Sequence, residues 1–244
     1  MVAEKMTICD MHGHFLPGID DGCSNLEESI GVLQESARQG IHKMFATPHY
    51  YPVETVERFL ERREQAAQSL RAHLQAMEED LPEFILGAEV AFHAGISQEA
   101  DLEKLCLGKS RYLLLEMPFE KWNSSVIREV NTIIGRGIVP IIAHLERYIR
   151  MQDPDTLERL LQLKALVQVN AGALLRFSSR GHARSMLKDG VAQLIGSDCH
   201  NMTTRKPNMG PAVAYLEKKH MADVLDAIAR RSNCIFAEAL GNDQ

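Results

Sequence analysis

The sequence predicts an α/β fold, a distorted (β/α)7 barrel, from three observations. Seven short apolar, β-branched runs alternate with helical patterns along the chain, which is the signature of parallel strands joined by crossover helices. No stretch rich in Pro, Gly or Ser interrupts the series and no fixed repeat is visible, so the 244 residues, 45% hydrophobic and 25% charged, are expected to form a single domain over 1–244. Nearly every strand ends in a histidine or a carboxylate. A closed barrel of parallel strands brings all those ends to one rim, whereas an open sheet would spread them along a line.

The predicted strands span 6–10, 41–46, 83–88, 111–115, 138–143, 166–169 and 192–196. Asn25-Leu26-Glu27-Glu28 opens the first helix with a capping side chain and early acids, and Gly40 stands where a left-handed cap would close it. The pattern over 54–78 puts Val56, Phe59, Leu60, Ala67, Leu70, Leu74 and Met77 on one face, and Pro82 follows. That stripe reads as core packing. Further helical patterns cover 124–135, 154–164, 181–189, 211–219 and 222–231.

Composition excludes several classes of function. The formal charge is −6, with acids and bases interspersed, so no basic stripe points to nucleic acid as a partner. The longest apolar stretches, near 112–115 and 138–143, fall far short of the ~20 residues of a membrane span. The first five residues include Glu4 and carry no apolar leader, which predicts a cytoplasmic protein. Five cysteines, an odd number without a CxxC pair, fit reduced thiols better than a disulfide framework or a thiolate zinc site.

The chemistry-bearing residues lie at the strand ends. His12 and His14 follow the first strand, His49 the second, Glu89 the third, Glu116 the fourth, His144 the fifth, and Asp198 with His200 the seventh. Imidazole nitrogen and carboxylate oxygen together are the ligand set of zinc, manganese and iron(II). The His12-x-His14 and Asp198-x-His200 spacings put both side chains on one side of an extended backbone, where they can share an ion. Alone, His49 would read as a turn or packing residue, and its place on the rim reverses that. Glu89 and Glu116 end strands that otherwise read as buried, so each carboxylate needs compensation, from a metal or from Arg147 or Arg205. Nothing assigns a role to His42, His73, His93, His182 or His220. Asn170 points at the same rim with a weak claim to substrate contact.

Taken together, Asp10-Met11-His12-Gly13-His14, Pro17-Gly18-Ile19-Asp20-Asp21-Gly22, Thr47-Pro48-His49-Tyr50, Gly87-Ala88-Glu89, Leu114-Leu115-Glu116, His144-Leu145-Glu146-Arg147-Tyr148 and Ser197-Asp198-Cys199-His200-Asn201 resemble the PHP (polymerase and histidinol phosphatase) superfamily. Within it the chain is similar to the bacterial capsule-type tyrosine phosphatases of the CpsB/YwqE type, in unbroken order from about residue 8 to 207. The resemblance implies a PHP barrel holding three divalent ions, usually manganese, with iron or zinc also compatible. Carried over position by position, His12, His14, Glu89 and Asp198 hold one ion. Glu89 bridges to a second, shared with Glu116 and His144, and Asp21, His49 and His200 hold the third. Sequence physics does not separate Asp20 from Asp21; the family pattern favours Asp21. Arg147 and Arg205 match phosphate-binding positions. Leu145 and Cys199 depart from the commoner proline and alanine, and neither removes a ligand. The implied partner is a phosphotyrosine-containing protein, the tail of a bacterial tyrosine kinase that controls surface polysaccharide.

Three divalent ions against four ligating carboxylates leave a net positive pocket, suited to a phosphomonoester dianion. The expected reaction is in-line attack of a metal-held hydroxide on phosphorus, without a phosphoenzyme, Arg147 and Arg205 orienting the phosphate. A tyrosinate leaving group, of parent pKa ~10, makes a missing dedicated acid tolerable. Three other readings compete. Cys199 and Arg205 have the C-x5-R spacing of cysteine-dependent phosphatases, but no glycine lies between them to form a phosphate cradle. Another PHP phosphoesterase would act on a small ester such as histidinol phosphate. A non-catalytic metal-binding module would keep the barrel without turnover. Tyr50, Tyr51, Phe92 and His93 are candidate walls for a substrate peptide, with Tyr50 and Tyr51 reading equally well as simple packing residues.

Overall fold

The strands run as expected but two are broken. In the computed structural model, which describes residues 7–241, β1 (Asp10–Gly13), β2 (Lys43–Ala46) and β4 (Glu83–Leu86) form one sheet. A second contains β3 (His49–Tyr50), β5 (Glu89–Ala91), β6 (Tyr112–Glu116), β7 (Val139–Ile142), β8 (Leu166–Asn170) and β9 (Leu194–Gly196). All pairings are parallel. Between β2 and β3 lie only Thr47 and Pro48, and between β4 and β5 only Gly87 and Ala88. Cross-strand bonding continues through both breaks, from Thr47 N to Gly13 O at 2.8 Å, Gly87 N to Ala46 O at 2.8 Å and Glu89 N to Pro48 O at 3.1 Å. Pro48 has no N–H to donate, which explains the interruption on its strand. Counted through the breaks there are seven strands among the described residues. The last meets the first at the Gly13–Cys199 bridge, where His14 N donates to Cys199 O and Asp198 N to His12 O, both at 2.8 Å. That seam closes the distorted barrel.

One boundary shifts appreciably. The first strand, expected over 6–10, is Asp10–Gly13; Met6 and the five residues before it lie outside the described residues. The ligand-bearing motif itself is the strand, because buried polar groups with partners extend a strand as well as apolar ones do.

The helices are α1 (Leu26–Arg38), α2 (Val56–Leu74), α3 (Ser124–Gly135), α4 (Pro154–Leu161), α5 (Ala171–Leu175), α6 (Arg180–Lys188), α7 (Met209–Lys218) and α8 (Ala222–Leu240). Asn25 caps α1 by accepting from Glu28 N, and Gly40 has φ +77°. Thr55 caps α2. The five-residue α5 is absent from the expected set, and α8 runs nine residues beyond its expected end at 231. Its extra turns carry Ile235, Phe236 and Ala239 into an apolar cluster with Met11, Phe45, Ile85, Leu114, Ile141 and Leu194. Tertiary burial overrides the weak helix propensity of Ser232-Asn233-Cys234.

The two-residue period of the strands separates two cores. Phe45, Ile85, Leu114 and Leu194 join this inner cluster, whereas Met44, Ala46, Leu113, Leu115 and Ile195 pack in the larger one that takes in helix residues such as Val32, Phe59 and Val130. Cys9 N donates to Ser232 Oγ, and the Phe45 and Phe236 rings meet edge-on at 5.4 Å. The end of the barrel where the strands begin is thus stoppered by α8. Continuing the inner parity along the strands leads from Phe45 to His49, Ile85 to Glu89, Leu114 to Glu116 and Leu194 to Asp198, so the polar side chains crown an apolar plug at the other end. Among the described residues no helix is long and apolar enough to cross a membrane.

Candidate metal centre

All nine nitrogen and carboxylate residues expected at the rim come together there. His12 Nε2 and His14 Nε2 are 2.9 Å apart, each 3.2 Å from Glu89 Oε2 and 3.7 Å from Asp198 Oδ1. His144 Nε2 meets Glu89 Oε1 at 2.8 Å and Glu116 Oε1 at 3.8 Å. His49 Nε2 and His200 Nε2 each lie 3.4 Å from Asp21 Oδ1. Four groups of ligand atoms fall within 4.8 Å of one another: His12, His14 and Asp198; His12, Glu89 and His144; His49, Glu89 and Glu116; and His14, Asp21, His49 and His200. His12, His14, His49 and Glu89 each fall in two groups, and Glu116 groups with His49 and Glu89 rather than with His144, so the same residues meet in a different partition from the expected one.

Backbone strain accompanies the convergence. Among the described residues the non-glycine positions of positive φ are His144 (33°), Asp198 (53°) and His220 (55°), two of them in the cluster. A residue leaving a strand in this conformation turns its side chain toward the barrel mouth, at a cost the surrounding contacts must offset. His144 is anchored by its N–H donating to Gln168 Oε1 at 2.9 Å. At Gly196 a Cβ would meet the His12 Cβ at 2.5 Å, so glycine is what lets the last strand approach the first.

Asp20 and Asp21 divide cleanly. Asp20 accepts from His14 Nδ1 (2.8 Å), His49 N (2.9 Å) and Gly22 N (3.0 Å). It therefore fixes the His14 ring so that Nε2 faces the cluster, the usual outer partner of a metal-binding imidazole. Asp21, 65% exposed, faces His49 and His200. Sequence reading missed Asp10 and Gln168 as supporting groups, and Asn170, expected at the rim as a weak substrate contact, holds Asp198 instead. Asp10 accepts from Ser197 N across the seam and from His12 N on its own strand, and is pushed up to about 6 by burial. Gln168 donates to Asn170 Oδ1, and Asn170 Nδ2 donates to Asp198 Oδ2 at 2.7 Å. The available signal was a charged or amide side chain inside a strand expected to be buried.

The electrostatics are those of a cluster built around charge. Burial alone would raise the Glu89 carboxyl, but His12, His14 and His144 hold it well below the ordinary carboxylate range. Burial pushes His200 down to about 4, helped by His14 and Arg205, and pushes Glu116 up to about 7, helped by Glu89. Among the described residues no arginine forms a close ion pair with Glu89 or Glu116, although the charge of Arg147 partly offsets the rise at Glu116; Arg205 meets Asp198 Oδ1 at 2.7 Å and Arg147 lies 3.9 Å from Oδ2. His49 Nδ1 and His200 Nε2 are buried without a hydrogen bond, although carboxylate oxygens stand 3.1 Å and 3.4 Å away. Imidazole nitrogens and carboxylate oxygens converging without a hydrogen bond suit a shared cation, and the residues present fit one.

The region around Cys199 is no thiolate cradle. Burial pushes its thiol well up, and Arg205 turns to Asp198. The N–H groups of Thr203, Thr204 and Arg205 all donate to Asn201 Oδ1, at 3.0, 2.8 and 3.0 Å, and so are not presented to a phosphate. Of the candidate walls, Tyr50 is a core residue, buried edge-on against Phe59, and Phe92 packs against the core. Tyr51 remains 45% exposed and stacks on the His49 ring at 5.2 Å.

A closed parallel barrel with histidines and carboxylates at the carboxyl ends of its strands defines a barrel metallohydrolase architecture. Residues 8–235 match the family described as "Capsular polysaccharide synthesis, CpsB/CapC", and the chain belongs to that family. Similar proteins include the tyrosine-protein phosphatase YwqE of Bacillus subtilis (strain 168), 29% identical over 216 residues, covering 86% of this chain and 84% of that protein. The tyrosine-protein phosphatase CpsB of Streptococcus pneumoniae is 29% identical over 231 residues, with 87% and 91% covered. A solved structure described among those of YwqE and CpsB, "unique metal-dependent tyrosine phosphatases", superposes with a TM-score of 0.83 at 26% identity over 97% of this chain and 96% of that one.

Proposed function

We propose that the protein is a metal-dependent phosphotyrosine-protein phosphatase, and that His12, His14, Asp21, His49, Glu89, Glu116, His144, Asp198 and His200 hold three divalent ions. The observation that carries this reading is the convergence of nine nitrogen and oxygen ligands on one rim, with two buried imidazole nitrogens unbonded beside carboxylate oxygens. Manganese is the assigned metal; iron and zinc fit the same ligand set. Bound divalent ions supply an activated water and charge to neutralise phosphoryl oxygens.

The chain's own residues do the rest. Arg205 and Arg147, 37% and 42% exposed at the mouth, bind and orient the phosphate through guanidinium hydrogen bonds. Asp20 and Gln168 hold His14 and the His144 backbone in position, while Asn170 orients Asp198. The buried apolar plug beneath excludes water from the far side. No side chain is assigned as a nucleophile, so hydrolysis proceeds without a phosphoenzyme. The substrate is assigned as the tyrosine-phosphorylated tail of a bacterial kinase acting in polysaccharide synthesis, and the protein, as one domain over 1–244, to the cytoplasm; five free cysteines, four of them buried, support that location.

Turnover of p-nitrophenyl phosphate and of phosphotyrosyl peptides, with and without chelator, tests the proposal. Activity lost on chelation, restored by manganese, and clearly preferring phosphotyrosyl peptides over histidinol phosphate is expected. Activity indifferent to chelator, or a preference for the small ester, overturns it. Elemental analysis of the purified protein fixes metal number and identity.

A further inference from the structure

Against the ligand cluster lies a cavity of about 550 Å³, whose lining includes Arg147, Arg176, Arg205, Lys206 and the carboxylates Glu146 and Asp198, within the size range of pockets that hold a small ligand or side chain. Four cations against two carboxylates is a local excess of positive charge on a chain of net charge −6. Arg205 and Arg147 approach Asp198 and belong to the site already described. The other two are not employed there. Among the described residues neither Arg176 nor Lys206 makes an ion pair or a side-chain hydrogen bond, and both are exposed. Glu35, the carboxylate whose charge Lys206 helps to hold, is already engaged by Arg38 at 2.9 Å and by Gln39. Arg176 is also flanked by the exposed apolar side chains of Leu175 (39%) and Phe177 (85%), so this segment offers solvent a cation between two greasy neighbours.

The cavity shares Arg147, Arg205 and Asp198 with the ligand cluster, so one extended molecule can occupy both. We propose that it is a second anion subsite, in which Arg176 and Lys206 receive another negatively charged side chain of the same phosphotyrosyl peptide and so select substrates carrying two anions. Free phosphate could not bridge the two places, whereas a peptide can. The inference rests on the phosphatase reading for the identity of the first group, and its test is built to be separable from it.

The experiment uses three peptides with one phosphotyrosine each: one with uncharged flanks, one with flanking glutamates, and one with a second phosphotyrosine nearby. Wild type is compared with R176A, K206A and R176E/K206E, all checked for an unchanged Tm. Each lost cation is expected to raise KM for the doubly anionic peptides about threefold to fivefold, the effect shrinking in high salt, as for exposed charge pairs. Turnover of p-nitrophenyl phosphate and of the uncharged-flank peptide stays at the wild-type level. A loss confined to the doubly phosphorylated peptide assigns the subsite to phosphate; a loss on both assigns it to carboxylates as well. Equal KM for all three peptides in the wild type, or equal loss on every substrate in the variants, overturns the proposal. Fluorescence anisotropy with the same peptides bearing a non-hydrolysable phosphotyrosine mimic gives Kd without turnover. A dependence of Kd on the second anion and on Arg176 sustains the subsite even in a protein that hydrolyses none of the substrates, an outcome that would instead remove the phosphatase reading.

Discussion

The two mouths of the barrel obey opposite rules. Where the strands begin, α8 drives Ile235, Phe236 and Ala239 against Phe45 and Ile85, in an apolar cluster. Where they end, the same inward-facing parity delivers His49, Glu89, Glu116 and Asp198, and the cluster they join holds two residues in left-handed conformations and imidazole nitrogens without hydrogen bonds. Neither feature lowers the energy of the chain by itself. Stability is concentrated at one end so that the other can keep charge, strain and unsatisfied ligands.

Changes at the two ends should therefore separate stability from activity. Phe236→Ala should cost about 3–5 kcal/mol of folding stability, as large-to-small core substitutions do, and be read as a lowered Tm. Its kcat at a temperature where it is folded should match wild type; a specific loss of kcat would mean the plug also shapes the site. His200→Ala should reverse the pattern. Activity should fall at least about a hundredfold, since even outer partners of a metal ligand cost 10–100-fold, with Tm in metal-free buffer nearly unchanged. Asp20→Asn tests the outer layer alone: about 10–100-fold weaker metal affinity, measured by competition with a chelating dye, because His14 Nδ1 loses its carboxylate. Cys199→Ala should leave kcat/KM within about twofold of wild type, since chemistry by that thiol would demand near-complete loss. The smallest effect concerns the other thiols. Burial pushes Cys106 up to about 12, whereas Cys234 is exposed, so a thiol reagent at pH 8 should label Cys234 alone in the native protein and all five cysteines after unfolding. Rapid native labelling of a second cysteine would show that the buried set opens.

The sequence disclosed the rim better than the plug. Histidines and carboxylates are rare at the ends of apolar runs, so His12, His49, Glu89 and Asp198 stood out one strand at a time, and the barrel followed from their need to meet. The choice between Asp20 and Asp21 was legible only through family pattern, because it depends on which carboxylate the His14 ring turns toward. α8 past residue 231 was not legible, since Ser232-Asn233-Cys234 reads as a weak helix former and the force that extends it is long-range packing. Tyr50 read equally as a wall or as packing, and only the position of Phe59 decides for the core. Arg176 carried no signal of its own, being an ordinary surface arginine until the loops after β8 and β9 line one cavity.

The seam between first and last strands bears on the order of events in the cell. His12 and His14 emerge from the ribosome early, and Asp198 and His200 nearly two hundred residues later, yet Gly13 and Cys199 must pair before these side chains face one another. No growing or truncated chain lacking its final strand can assemble the full ligand set. Under the proposed ligand assignment, capture of the full complement of cations waits on the closing of that seam.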